Sequence, residues 1–280
     1  VLTAVKAYSA WRSAPVVLLD PNGRPETDLI QIRNIDGLDP VKASVSTSPR
    51  AAVDGVTYTG SNVPSRNIVL TVHPNPDWLN YTHDSLRKLI YQYFMPKSPV
   101  RLVFTSDNMA DVEISGIVEA VAANQFSRDP ELLISIICPD PHFTSVEPIV
   151  VTGQTVRPGG TPVVVPYSGT EEAGAIVRVT YASGSDPTSI GIQVGDPSLS
   201  YFNVDATVNS LLYFEASSIP MEKYVQNVNI GSGVIDNLLS DVVEGSIWPT
   251  LQPGNNDFSV VTDQGVQDWE LTFYERFGGL

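Results

Sequence analysis

Three histidines, one cysteine and a surplus of carboxylates are the side chains through which this sequence could do chemistry. His73 and Asp77, then His83 and Asp84, put four potential ligands within twelve residues. Zinc needs three or four such groups to converge, usually with two of them at helix or hairpin spacing. Pro74 and Pro76 stiffen this connection and Asp84 is needed at a helix start, so the segment reads as a solvated strand-to-helix link. Cys138 and His142 bracket Pro139-Asp140-Pro141 and could be a nucleophile with its base. A reactive thiolate needs an electropositive, partly exposed setting and an oriented histidine. Cys138 instead closes the apolar face Leu132, Ile134, Ile136, which is the pattern of a buried, inert thiol.

The remaining chemistry is thinner. Glycoside hydrolysis needs two acids facing one another, and the adjacent Glu171 and Glu172 would point apart on a strand. Gly231-Ser232-Gly233 lacks the third glycine and following helix of a dinucleotide loop and reads as a hairpin turn. There is no Gly-x-Ser-x-Gly elbow and no phosphate-cradling loop ending in Lys-Ser/Thr. Asn80-Tyr81-Thr82 fits a glycosylation acceptor, but no secretion signal accompanies it. Trp248 and Trp269 could form a stacking platform for sugars, yet Trp269 shares its strand face with Leu271 and Phe273, a core pattern. The expectation is a protein that is not an enzyme, with no cofactor and no metal.

The elements that would position these residues are mostly strands. Ile30 and Ile32 alternate with Gln31 and Arg33; Val41, Ala43 and Val45 alternate with Lys42, Ser44 and Ser46. Such period-two patterning predicts strands with one buried face. Asp20-Pro21-Asn22-Gly23 predicts a type I turn, and Gly116 a bulge in an otherwise regular strand. Asp54-Gly55 lies in a segment that reads as a hairpin arm, Val53 to Tyr58 turning back toward Ile68. One helix stands out: Leu86, Leu89, Ile90 and Tyr93 form a single stripe, with Thr82 as cap, Asp84 in the first turn and Pro96 as the stop. Trp78 is placed to staple the entry of that helix. Pro139, Pro141 and Pro148 end the sheet after Cys138, and the domain boundary is expected near 145.

Length and charge set the limits. Two hundred and eighty residues suggest about two domains at ~150 residues each, enough to fold without disulfides or metal. The formal net charge is −15, of which residues 1–145 carry −3 and residues 146–280 carry −12. So acidic a surface disfavours nucleic acid and anionic membranes, because both bind through Lys and Arg. No apolar run approaches the ~18 residues needed to span a bilayer, and a soluble protein folding in a reducing cytoplasm is expected.

Several short signatures occur in order along the chain. Ile35-Asp36-Gly37-Leu38-Asp39-Pro40 is followed by the strand Arg66-Asn67-Ile68-Val69-Leu70, the helix with Pro96, and Val100-Arg101-Leu102-Val103. Cys138-Pro139-Asp140-Pro141-His142-Phe143 closes the first half. The second half ends in Trp248-Pro249-Thr250-Leu251-Gln252-Pro253-Gly254-Asn255-Asn256 and Tyr274-Glu275-Arg276-Phe277-Gly278-Gly279-Leu280. This arrangement resembles the distal tail proteins of long, non-contractile-tailed (siphovirus-type) bacteriophages.

The resemblance implies a mainly β chain of two β-sandwich domains. Residues 1–145 would be the ring-forming N-terminal sandwich with one helix and a hairpin arm; residues 146–280 would be a galectin-like sandwich. It further implies a hexameric ring at the virion tail tip, assembled in the host cytoplasm. Such a ring is a baseplate hub joining the tail-tube protein to the central tail-tip protein and offering attachment to receptor-binding proteins or host glycan. Val53, Val56 and Tyr58 are the candidate subunit-interface residues on the arm. The charge split fits such a ring, since near-neutral first domains can pack on copies of themselves while the acidic domains stay in solvent. The alternative is a carbohydrate-binding β-sandwich module.

Overall fold

Burial alternates along strand after strand, as in Leu132–Cys138, where every second residue is buried. Such strands can close a core only by pairing, and in the computed structural model they do so in two units. Described are residues 2–19, 29–51, 53–76, 80–107, 110–124, 130–181, 187–195, 201–205 and 212–280. The first unit is Val1–Val146 together with Phe277–Leu280, and the second is Glu147–Arg276. The expected turn at 20–23 and the Trp78 staple fall outside the described residues.

The first unit contains β1 (Leu2–Ser9), β2 (Val16–Leu19), β3 (Ile30–Asp36), β4 (Ser44–Pro49), β5 (Val56–Asn62), β6 (Arg66–Pro74), α1 (His83–Tyr93), β7 (Pro99–Ser106), β8 (Val112–Ala123), β9 (Leu132–Cys138) and β10 (Phe143–Ser145). Its main sheet runs β10-β8-β7-β1-β2-β3-β6-β9, and β9 pairs back onto β8. Seven strands therefore form a nearly closed sheet, whose weakest seam is the parallel β2–β3 contact at Leu19↔Gln31. The mainly β body expected of the first half thus takes the form of one sheet that curls on itself. A closed sheet leaves fewer unpaired edges.

Closure depends on β8, which pairs with β7 from Val112 to Ile117 and with β9 from Ile117 to Ala123. The register shift lies between Val118 and Ala120, two to four residues beyond the bulge expected at Gly116. Gly116 has a different task. A Cβ there would lie 2.7 Å from Ile136 Cγ2 and 2.8 Å from the Ile137 carbonyl oxygen, so only glycine lets β9 cross at the handover. Inside, side chains such as Leu18, Ile68, Leu70, Leu102, Ile134 and Ile136 are fully buried. Each contributes roughly 1.5–3 kcal/mol relative to exposure.

Helix α1 forms as its pattern predicts. Thr82 accepts from the Ser85 amide while the Ser85 hydroxyl accepts from the Thr82 amide, a reciprocal cap. Leu86, Ile90 and Tyr93 are buried, and α1 packs against β1 and β6. The helix ends at Tyr93, and the Phe94 amide still reaches Ile90 O.

The second unit contains β11 (Ile149–Gln154), β12 (Val163–Tyr167), β13 (Ala173–Thr180), β14 (Ile190–Val194), β15 (Tyr201–Val204), β16 (Leu212–Ser217), β17 (Tyr224–Asn229), β18 (Ile235–Asn237), β19 (Thr250–Leu251), β20 (Gly254–Thr262) and β21 (Asp268–Phe273). One sheet is β11-β21-β13-β16-β17-β18 with β19 beside β13, and the other is β12-β20-β14-β15. Residues of both sheets share one core, so this unit is a sandwich. Trp269 is buried there, its ring edge-on to Phe258 at 4.9 Å. The expected turn at Gly231–Gly233 joins β17 to β18.

Candidate interaction surface

The arm predicted around Val53–Tyr58 exists, but its partner strand differs from the expected one. β5 pairs with β4, from Ser44↔Asn62 to Pro49↔Val56, and not with the strand of Ile68, which belongs to the closed sheet. The alternation Val41, Ala43, Val45 therefore has no buried face; residues 44–49 are all exposed. Val53, Val56 and Tyr58 are 64%, 55% and 62% exposed. Directly opposed residues share a face of a ribbon. One face of the arm thus carries Val45, Thr47 and Pro49 opposite Ser61, Tyr58 and Val56. Val45 shares that face with Val56 and Tyr58, which only the pairing register reveals, while Val53 lies in the turn before β5.

A two-stranded ribbon standing alone in water is marginal. The arm is held by local bonds, Tyr58 Oη to Ser61 Oγ at 2.8 Å and Arg50 Nε donating to Thr57 Oγ1 at 3.0 Å. Gly55 (φ +98°) makes its turn in open space. Exposed apolar side chains on such a ribbon have the composition of a surface that a partner covers.

The candidate chemistry does not assemble. Among the described residues no three His, Cys, Asp or Glu side chains come together as a metal-holding group. His73 Nδ1 lies 3.1 Å from Pro130 O, Asp84 pairs with Arg87 at 3.6 Å, and Asp77 is outside the described residues. His142 Nδ1 is engaged by Asp140 at 2.9 Å. Cys138 is fully buried, and burial pushes its thiol up to about 11, the nearby Arg66 opposing this and Asp140 adding to it. A raised folded value means that the stability from burying the neutral thiol is complete below the ordinary thiol range and lost as pH rises through about 11. A water-soluble disulfide reagent at about pH 8 should leave Cys138 unmodified in the native protein and modify it fully in denaturant. Rapid reaction of the native protein would contradict this placement.

Two further arrangements escaped sequence reasoning. Across the outer face of the larger sheet of the second unit, Thr152, Glu270, Arg178, Glu215, Gln226 and Asn237 stand in register. Arg178 binds Glu215 at 2.8 Å and covers the Tyr213 ring at 4.7 Å. Tyr224 Oη and Gln226 Nε2 also donate to Glu215. Arg178, Tyr224 and Gln226 thus converge on the Glu215 carboxylate. With Trp269 in the core, the Trp248–Trp269 platform is not formed; Trp248 instead packs on Phe202 at 4.7 Å.

The second arrangement is a shallow groove of about 480 Å³ in the first unit, lined by Trp11, Arg12, Gln92, Met95, Pro96, Lys97 and Ser98. Trp11 is 74% exposed and Met95 53%. The groove lies where the β1–β2 turn meets the end of α1. Tyr93 Oη donates to Ala14 O at 2.9 Å, and Arg12 donates to Gln92.

Residues 26–138 match the family model of the phage tail protein RIFT-related domain. No curated protein matches the sequence. Among solved structures, the fold is that of the Dit protein of phage SPP1, described as a paradigm of the hub adsorption apparatus in phages infecting Gram-positive bacteria. The TM-score is 0.70 at 15% identity, over 98% of this chain and 99% of that one. The baseplate of phage P2 in its activated conformation with calcium aligns at a TM-score of 0.47 and 8% identity, over 99% of each chain. The strontium form of the phage p2 baseplate gives 0.44 and 8%, over 96% of this chain and 97% of that one.

Proposed function

We propose that this chain, whose residues 26–138 match the phage tail protein RIFT-related domain, is a structural tail-tip hub. Copies form a hexameric ring that joins the tail tube to the central tip protein and the receptor-binding apparatus. The observation that carries the reading is the fold shared with the SPP1 hub protein across nearly the whole of both chains. Fold alone does not fix function, so the arm supplies the physical argument. A closed ring needs a heterologous contact, in which one surface of each subunit meets a different surface of the next. The exposed ribbon Ser44–Asn62 offers both apolar side chains and free strand edges for such a contact. The first unit is the half that can pack on copies of itself, and the second, with most of the −15 charge, is kept apart by like-charge repulsion. We take the second unit to be a galectin-like scaffold, on the strength of its two-sheet sandwich.

Deleting residues 44–62 tests this directly, because none of the described residues of the arm belongs to the buried core. The full-length chain is expected to give a ring of six 30.3 kDa copies by native mass measurement, and the deletion a monomer that still unfolds in one cooperative transition, at a lower midpoint because assembly no longer stabilises it. Antibody against the chain should label the tail tip of the particle by electron microscopy. A deletion that leaves the ring's mass unchanged overturns the role of the arm. Label elsewhere on the particle overturns the hub.

A further inference from the structure

We infer that the Trp11–Met95 groove is the seat for the hairpin arm of the neighbouring copy, an inference that rests on the ring proposed above. Among the described residues of the first unit Trp11 is the most exposed large apolar side chain, and Met95 lines the same groove. Tryptophan, methionine and arginine together are the composition enriched at interface centres, where a few buried anchors supply most of the affinity. A solvent-exposed tryptophan paired with an exposed methionine is therefore a surface in want of a cover.

The groove is rigid, as a seat must be if binding is not to pay for ordering it. Its floor is a turn after α1: the Ser98 amide and hydroxyl both donate to Met95 O, the Lys97 amide donates to Val118 O at 2.8 Å, and the Val118 amide returns a bond to Ser98 O at 3.0 Å. Lys97 sits at φ +73°, a left-handed conformation that a non-glycine residue holds at a cost. That strained residue follows Met95 and Pro96, which line the groove together with Trp11. Tyr93 and Gln92, through Ala14 and Arg12, tie the Trp11 turn to the helix.

The occupant follows from what the first unit leaves uncovered. Among the described residues its exposed apolar side chains include two groups, in the groove and on the arm, besides Val17, Val63, Tyr81, Ile117 and Leu133 elsewhere on the unit. One is concave and rimmed by the cations Arg12 and Lys97; the other is a convex ribbon presenting Val45, Pro49, Val56 and Tyr58, with Asp54 at its tip. Within one chain the arm leaves its own apolar face bare, so it does not fill the groove of its own subunit. Two different, complementary patches on the same unit are what a heterologous contact requires. The arm of one copy lays Val56 and Tyr58 against Trp11 and Met95 of the next, and its tip carboxylate meets Lys97.

Two single variants of the full chain, Val56→Cys and Met95→Cys, test this with a short thiol-to-thiol cross-linker. The native Cys138 is buried and contributes no background. Mixed together, the variants should cross-link into dimers, whereas each alone should not, and the double variant should give a ladder ending at the closed ring. Cross-linking of Val56→Cys to itself, or an intact ring with no cross-link in the mixture, overturns the seat and leaves the ring standing. A chain that forms no ring at any concentration overturns the ring reading and the seat with it. Trp11→Asp, a change at an exposed position, should weaken assembly about thirtyfold or more, while the dissociated subunit keeps a cooperative melting transition. Assembly of Trp11→Asp at the wild-type concentration would likewise overturn the seat.

Discussion

Arg66→Ala is expected to lower the unfolding free energy by about 4 kcal/mol, the cost of stranding polar groups around a removed buried charge. Arg66 is only 2% exposed, yet no carboxylate among the described residues is bound to it. Its fork is filled by carbonyls instead: Nε donates to Pro141 O at 2.6 Å, Nη1 to Gly37 O at 2.6 Å and Asp39 O at 2.8 Å, and Nη2 to Gly278 O. The guanidinium also lies over the Phe143 ring at 4.5 Å. Burial lowers its proton affinity, opposed by Cys138 and Asp39, but an arginine stays charged at any physiological pH. One side chain thus joins the Gly37–Asp39 turn, the Pro141 loop and the returning tail. Arg66→Lys should recover only part of the loss, because a single ammonium cannot reach four carbonyls in a planar fan. Denaturant titration measures the loss, and limited proteolysis should show Phe277–Leu280 cut early in Arg66→Ala. An unchanged unfolding midpoint would refute this assignment.

Gly37→Ala should be comparably damaging, at about 3–5 kcal/mol. Gly37 has φ +93°, and a Cβ built on it would lie 2.1 Å from the Asn67 carbonyl oxygen. That atom is backbone within β6, so no side-chain rotation relieves the clash. Gly55 is the control: its φ is +98°, but nothing lies within 4 Å. Gly55→Ala should therefore cost only about 1 kcal/mol of conformational strain. The double variant Gly37→Ala with Arg66→Ala should lose less than the sum, because both changes open the same junction. Strict additivity in thermal melts would mean that Gly37 and Arg66 act independently.

These two residues also tie together four of the signatures by which the sequence resembles its family. Ile35–Pro40, Arg66–Leu70, Cys138–Phe143 and the C-terminal Phe277–Leu280 are far apart in the chain. In the structure they meet at one place: Arg66 binds the first, third and fourth, and the Leu280 amide donates to Leu38 O at 3.0 Å. Leu280 then lines a cavity of about 280 Å³ with Leu2, Leu38 and Phe104. The return of the tail leaves no mark in composition or charge. It follows from carbonyls that only a folded chain brings around one guanidinium.

The sequence by itself determined the local chemistry: the strands, the Thr82-capped helix, the inert Cys138, the core placement of Trp269 and the presence of an arm. Each follows from side-chain spacing along a few consecutive residues, and period two or 3.6 is a local property. What the tertiary structure decided was which strand pairs with which. Pairing sent β5 to β4 rather than to the strand of Ile68, curled the first sheet closed through β8, and lifted Val45 onto the apolar face of the arm. It also set Trp11 beside Met95 and drew four carbonyls to Arg66. Register is a relation between distant segments, fixed by the global burial of apolar surface, and no window of adjacent residues contains it.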